Sequence, residues 1–286
     1  RQAQNRGIEL VAVNDLGSLP DLSYLLKHDT VYGKAPFEVE AKDGNLWIDS
    51  RGVKFFSEKD PLNLPWKELN IDVVVEATGV FDEYEKAKAH ITAGAKRVVI
   101  TAPGKGKGGD IVLMGVNEEA LATCQISSNA SCTTNAASPV ISILDEALGI
   151  EKAVLSTTHA YTASQSVVDG PVKGDDFRRG RGAAQNIAPS STGAASAVTK
   201  AYPALSGKFD GIALRVPVPA GSIADITFIA KRPTTREEVN ELLRTAEKQA
   251  RWEGIFKTTD EQLVSSDIIG EPFASIADLG MTRVVD

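Results

Sequence analysis

The 286 residues are 42% hydrophobic and 24% charged, with a net charge of -7, a composition that suits a globular chain of roughly two domains. The acidic balance argues against nucleic acid as a primary partner and against an anionic lipid surface. No run reaches the roughly 18 apolar residues of a membrane span, and no signal-peptide pattern opens the sequence. Two cysteines and three histidines provide neither a disulfide framework nor metal-ligand spacing, so a reducing cytoplasm is the expected compartment.

In chain order, Ile8 to Val13 is an apolar run interrupted only by Glu9 and ending at Asn14-Asp15. Short Val/Ile/Leu-rich stretches of this kind read as parallel strands buried on both faces. Asp72 to Thr78 is a second such stretch, ending at Gly79. A helix is predicted from Asp82 to Ala93, closed by Gly94, and a third strand from Arg97 to Thr101. Strand, helix and strand with short joins form a crossover unit of a doubly wound sheet, whose ligands lie beyond the carboxyl ends of the strands. Asp15, Thr78, Gly79 and Thr101 sit at those ends. No G-x-G-x-x-G precedes Asp15, and the ribose-binding acid usually follows that fingerprint by about 20 residues. The expectation is that the first strand and phosphate loop lie upstream of Arg1, with Arg1 to Asn5 the tail of the first crossover helix. An acid closing a strand is also an ordinary surface turn residue.

Between these strands, Lys42-Asp43-Gly44-Asn45 marks a β-hairpin, read as a peripheral insertion without chemistry. The stretch Gly104 to Gly109 lacks the spacing of a phosphate loop and reads as a solvated loop.

Ser128-Asn129-Ala130-Ser131-Cys132-Thr133-Thr134-Asn135 precedes apolar residues Val140, Leu144 and Leu148 at helical spacing, closed by Gly149. Ser131 or Asn129 can cap this helix, which places Cys132 in its first turn. There, free N–H groups and the helix dipole favour a thiolate and can hold an oxyanion. The competing reading is a buried inert thiol, as expected for Cys124 in a strand-like stretch ending at Ile126. Position 136 is Ala136, so no second thiol lies one turn beyond Cys132. Pro139 predicts a local kink.

Ala153 to His159 is a strand ending in a histidine, and a thiol nucleophile needs a base that titrates near neutral pH. His28 and His90 lie in a charged stretch and on the crossover helix, so elimination pairs His159 with Cys132; a structural histidine is the alternative. The run Pro189 to Gly193 opens a small-residue helix that suits phosphate or is an ordinary cap. From Gly211 the chain alternates strictly, placing Arg215 with Ala213 and Pro217 on one face as a candidate anion clamp. Phe177-Arg178-Arg179-Gly180-Arg181 is a cationic loop suited to phosphate or to a subunit contact. Thr234 to Ala250 is an amphipathic helix with a Thr234…Glu237 capping box.

The segments Ser128–Asn135, His159–Thr162, Arg178–Asn186, Pro189–Ala195 and Leu214–Pro217, in that order, make the chain resemble the phosphorylating glyceraldehyde-3-phosphate dehydrogenases, type I and bacterial-like, along essentially its whole length. The resemblance implies an α/β fold. Residues 1–131 would be a doubly wound, Rossmann-type NAD-binding domain lacking its first strand and phosphate loop. Residues 132–286 would be an α+β catalytic domain with a mostly antiparallel sheet, incomplete at its C-terminus. The implied reaction is oxidation of D-glyceraldehyde 3-phosphate to 1,3-bisphosphoglycerate with NAD and inorganic phosphate, in glycolysis and gluconeogenesis.

Carried over by resemblance, Cys132 is the nucleophile and His159 the base and acid. Thr162 and Arg215 bind the substrate's phosphate, with Arg179 as a helper, and Ser131, Thr133, Thr192 and Gly193 take the attacking phosphate. Asp15 holds the adenosine ribose and, with Leu16 and Pro171, resembles the pattern preferring NAD over NADP. Thr78, Gly79 and Thr101 line the cofactor. The segment from Tyr161 to Gln185 resembles the loop that meets a neighbour's cofactor in a homotetramer. With both ends absent, residues 1–286 alone are expected to be nearly inactive. Rival readings are an erythrose-4-phosphate dehydrogenase, a non-redox thiol acyltransferase, and a scaffold or RNA-binding role.

Overall fold

The computed structural model describes residues 7–172 and 174–285, so the expected helix tail at Arg1 to Asn5 lies outside the described residues. Two compact units divide the chain: the first reaches to Val99 and includes Gly106–Gly108, and the second holds Ile100–Lys105 and everything from Gly109.

In the first unit, β1 (Ala12–Asn14) is followed by α1 (Leu19–Lys27) and by the two-residue strands β2 (His28–Asp29) and β3 (Gly33–Lys34). Then come β4 (Val39–Lys42), β5 (Asn45–Ile48) and β6 (Arg51–Phe56), joined to β1 in the order β1-β6-β5-β4. The β1–β6 pair is parallel and the other two pairs are antiparallel. Asp43 and Gly44 both take positive φ, 52° and 73°, the conformation of a type I′ hairpin turn whose twist matches its strands. The hairpin is therefore part of the β1 sheet, not a peripheral insertion. Its inward residues Val39, Leu46 and Val53 form a small core with Val13 and Leu19.

Strand β1 is shorter than the Ile8–Val13 run: its three residues are half-buried, and Ile8 and Leu10, which precede it, are exposed. Strand β7 (Val73–Glu76) alternates, with Val74 and Glu76 inside and Val73 and Val75 outside. It lies beside β8 (Arg97–Ile100), and α2 (Tyr84–Thr92) connects the two.

The second unit opens with β9 (Asp110–Ile111), parallel to β10 (Ile126–Ser128). Cys124 lies two residues before β10 and is half-buried, not in a strand. Helix α3 (Cys132–Leu148) then runs into β11 (Ile150–Ala160). After a long loop come β12 (Ala188–Ser191), α4 (Ala194–Ala201), β13 (Phe209–Val216) and β14 (Ser222–Ala230). The sheet order is β12-β13-β11-β14, with β11–β13 parallel and the flanking pairs antiparallel. Helix α5 (Arg236–Glu247) and the parallel pair β15 (Phe256–Thr259) and β16 (Ser275–Asp278) complete the unit.

The core of this unit gathers Ile141, Leu144 and Leu148 of α3 with Leu155, Val198, Leu243, Trp252 and Phe256. The helical spacing read from the sequence therefore faces inward. Helix α5 starts one residue later than expected. Thr235 is its cap, accepting from the Glu238 amide at 3.2 Å, while the Thr234 hydroxyl donates to the Glu238 carboxylate at 2.8 Å.

Candidate active site

The segment before α3 is wound tightly. Ala130 sits at φ 54°, a left-handed conformation that costs a non-glycine residue about 1–3 kcal/mol and must be held by its surroundings. Here the Ser128 hydroxyl accepts from the Ala130 amide at 3.0 Å and from the Gly104 amide at 2.9 Å. The Asn135 side-chain amide reaches back to the carbonyls of Asn129 and Ser131, at 2.7 and 3.0 Å. Of the two caps open from sequence, Ser131 is the one used: its hydroxyl accepts from the Thr134 amide at 3.1 Å. Cys132 is thus the first helical residue, and it is exposed. The next position on its side of the helix, Ala136, carries no thiol.

Strand β11 brings His159 to the same place, with Nε2 3.0 Å from the Cys132 Sγ. The histidine hydrogen bond, helped by its charge and by the amide and hydroxyl of Thr133, outweighs burial and holds the thiol below its ordinary value. The contact acts reciprocally: the thiol and the Ala160 carbonyl raise the His159 pKa, against burial and the charge of Arg215. Both shifts run toward thiolate and imidazolium, the form in which sulfur attacks a carbonyl.

Arg215 stands directly across from His159 in the β11–β13 register. Its Nη1 lies 2.6 Å from His159 Nδ1 and donates to the Ala160 carbonyl at 3.1 Å. The same carbonyl is 2.7 Å from Nδ1. A carbonyl only accepts and a guanidinium only donates, so the Nδ1 position has one neighbour that wants a proton on it and one that wants it bare. His159 is consequently not confined to one tautomer.

A cleft beside this pair is lined by Arg215, Arg179, Arg178, Asp176, Ser164 and Ser190. Arg179 donates to Ser164 at 3.5 Å, and Ser164 lies 3.0 Å from the Thr162 hydroxyl. Thr162 is thereby linked through Ser164 to the cleft that Arg179 and Arg215 line. Burial, together with the charge of Arg179 and against that of Cys132, lowers the Arg215 pKa, and a bound anion would relieve that strain between like charges. The cationic loop is less free than its sequence implies: Asp176 holds both Arg178 and Arg179, and Asp169 holds Arg181.

The other expected anion residues divide between two helix starts. Ser131 and Thr133 begin α3, where Thr133 is buried and the Ser131 oxygen serves the cap. Thr192 and Gly193 precede α4, with the Thr192 hydroxyl accepting from the Ala194 amide at 3.1 Å. The residue types are right for an anion, but much of the hydroxyl capacity is already used locally.

In the first unit, the exposed Asp15 follows β1 and accepts from the Gly17 amide at 2.8 Å through one oxygen. Its other oxygen has no hydrogen-bond partner among the described residues and suits a pair of ribose hydroxyls. Leu16 beside it is 64% exposed. Thr78 and Gly79 follow β7; Gly79 has φ 71° and open space where a Cβ would stand, so a ligand can approach its backbone closely. In the second unit, Thr101 follows β8 and is exposed, as is Pro171. The chemistry of Asp15, Thr78 and Gly79 in the first unit fits a dinucleotide.

Sequence reasoning missed the Ala160 carbonyl, Ser164 and Asp176. The carbonyl carries no side-chain signal, and the other two are ordinary loop residues until the fold places them.

Comparison with known proteins agrees with these features. Residues 131–286 match the family model described as glyceraldehyde 3-phosphate dehydrogenase, C-terminal domain, and residues 1–84 match its NAD binding domain. The chain belongs to the glyceraldehyde-3-phosphate dehydrogenase family. A glyceraldehyde-3-phosphate dehydrogenase of Clostridium pasteurianum is 44% identical over 280 residues, covering 98% of this chain and 82% of that protein. Glyceraldehyde-3-phosphate dehydrogenase 2 of Streptomyces avermitilis is 44% identical over 285 residues, 99% of this chain and 84% of the relative. The Streptomyces coelicolor enzyme is 44% identical over 284 residues, 98% and 83% respectively. As a member of the family, the chain is an NAD-dependent oxidoreductase of α/β architecture. No helix among the described residues is long and apolar enough to cross a membrane.

Proposed function

We propose that this chain oxidises D-glyceraldehyde 3-phosphate to an acyl phosphate in glycolysis and gluconeogenesis, with Cys132 as the covalent carrier. The observation that carries this reading is the 3.0 Å Sγ–Nε2 contact at a helix start beside an arginine-lined cleft. The Cys132 thiolate attacks the aldehyde carbon, forming a C–S bond, and the oxygen takes the proton held by His159. Backbone amides at the start of α3 face the charge that develops on that oxygen. His159 then removes the hydroxyl proton as the thiohemiacetal becomes a thioester. NAD, when bound, supplies the acceptor for the hydride lost from carbon. Inorganic phosphate attacks the thioester carbonyl, the C–S bond breaks, and the thiolate is restored.

Thr162, Arg215 and Arg179 are assigned to the substrate's phosphate, and Ser131, Thr133, Thr192 and Gly193 to the attacking one. Asp15 is assigned to the adenosine ribose, with Leu16 and Pro171 favouring NAD over NADP, and Thr78, Gly79 and Thr101 line the cofactor. Functionally, we divide the chain at 131/132, so that the nucleophile opens the catalytic part.

We also propose a homotetramer in the cytoplasm. Val154, Ile212, Ile223 and Ile229, each more than half exposed, share one face of the β12-β13-β11-β14 sheet with the exposed Lys152, Asp210 and Asp225, a mixed apolar and charged surface that a second copy could cover. Sedimentation of an Ile223→Lys variant should show smaller species.

The reaction is tested by NADH formation with glyceraldehyde 3-phosphate and with erythrose 4-phosphate, each with and without inorganic phosphate. Phosphate-dependent turnover of the triose supports the proposal. Phosphate-independent turnover of the tetrose would replace it with the hydrolytic relative, and acyl transfer without NADH would indicate the non-redox alternative.

A further inference from the structure

One buried cluster plays no part in this chemistry. Behind the turn at Thr78 and Gly79, Trp66, Glu76 and His90 are each about 95% buried and form an unbroken chain. The Trp66 indole Nε1 donates to His90 Nδ1 at 3.0 Å. His90 Nε2 lies 3.0 Å from Glu76 Oε2. Glu76 Oε1 accepts from the Thr78 amide at 2.8 Å and from the Thr78 hydroxyl, whose oxygen in turn accepts from the Val80 amide at 3.1 Å. Phe56 stands edge-on to Trp66, and Phe81 edge-on to His90.

The donor inventory leaves one arrangement. An indole N–H can only donate, so Nδ1 must be bare; an ionised carboxylate can only accept, so Nε2 must carry the proton. His90 is thus neutral, with a single permitted tautomer. Burial pushes the Glu76 pKa up, but the bonds from His90 and from the Thr78 hydroxyl and amide outweigh it and hold the group below the ordinary carboxylate range. The carboxylate therefore keeps its charge and its grip on the turn.

We propose that Trp66, His90 and Glu76 are positioning residues, a tautomer-locked brace that fixes the Thr78–Gly79 turn and so sets affinity for NAD without touching it. This rests on the reading that Thr78 and Gly79 line the cofactor. Within the turn, Gly79 supplies an open backbone and Thr78 has its hydroxyl committed to Glu76, so the brace determines which atoms a ligand meets. Buried hydrogen bonds to a charged group are the strong ones, and their loss releases the turn.

The test uses Glu76→Gln in the intact protein. The amide retains an oxygen for Thr78, but its NH2 then faces the His90 Nε2–H, donor against donor. Adding Trp66→Phe removes the indole donor, which lets His90 move its proton to Nδ1 and accept from Gln at Nε2. The expectation is that Glu76→Gln weakens NAD binding about tenfold by calorimetry, leaves the rate of Cys132 alkylation unchanged, and is partly rescued by Trp66→Phe. In the wild type, imidazole 15N shifts should show His90 with a protonated Nε2 and a bare Nδ1; a protonated Nδ1 would overturn the lock, whatever the folding of the variants. Thr78→Val separates the two levels. If it weakens NAD binding while Glu76→Gln does not, the brace is wrong and the cofactor assignment stands. If neither variant changes NAD binding, both are wrong.

Discussion

Each unit holds a histidine in a hydrogen-bonded chain, and the two chains are built on opposite principles. His90 lies between a group that only donates and a group that only accepts, walled off by aromatic rings. His159 lies between a thiol that can do either and an Nδ1 position shared by a carbonyl and a guanidinium. A histidine whose neighbours are unambiguous keeps its proton in one place and acts as structure. One whose neighbours compete can take up and release protons, which a general base must do. Burial alone does not separate these roles; the donor and acceptor character of the neighbours does.

Substitution at the thiol carries the largest expected effect. Cys132→Ser should lower turnover by about 10³-fold or more, measured as NADH formation. His159→Asn should cost about 10²–10⁴-fold. It should also move the pH profile of Cys132 alkylation upward, because the neighbour that lowers the thiol pKa has gone. His90→Leu should leave that profile in place and instead reduce stability by about 1–3 kcal/mol in denaturant titrations, since it orphans the Trp66 donor and the Glu76 acceptor. If His90→Leu shifted the alkylation profile, the division of roles between the histidines would fail.

Arg215→Leu separates anion binding from the proton chemistry of His159. KM for the phosphorylated aldehyde should rise about 10–100-fold, while an aldehyde lacking phosphate should be affected far less. The smallest effect concerns acid stability. The folded-state pKa of Glu76 is depressed, so its contribution is present above the unfolded value of about 4.3 and is lost as pH falls through the folded value. Glu76→Gln should therefore be less stable near neutrality and show a flatter loss of stability across the acidic range, read from thermal melts at a series of pH values.

The two regions also differ in how far they could be read from sequence. The helix start at Cys132 was legible because Ser131, the spacing of Val140, Leu144 and Leu148, and Gly149 all indicate the same helix. His159 and Arg215 were legible as strand residues, since alternation assigns faces. Their contact was not, because strand register is set by pairing between segments 56 residues apart. The brace left no trace: Trp66 and His90 are 24 positions apart, and Glu76 and His90 are 14 apart, with no motif joining them. Ile8 and Leu10 misled for a related reason, because composition marks an apolar run without showing where pairing starts, and β1 begins only at Ala12.

Ala136 has a consequence beyond catalysis. An exposed cysteine held toward its thiolate is readily oxidised to a sulfenic acid. A second thiol one helical turn away could condense with that acid and trap it as a reversible disulfide. With alanine there, the methyl group provides no such exit, and repair of Cys132 falls to a small thiol arriving from solvent. The same exposure that opens the sulfur to an aldehyde makes its recovery depend on the reducing capacity of its surroundings.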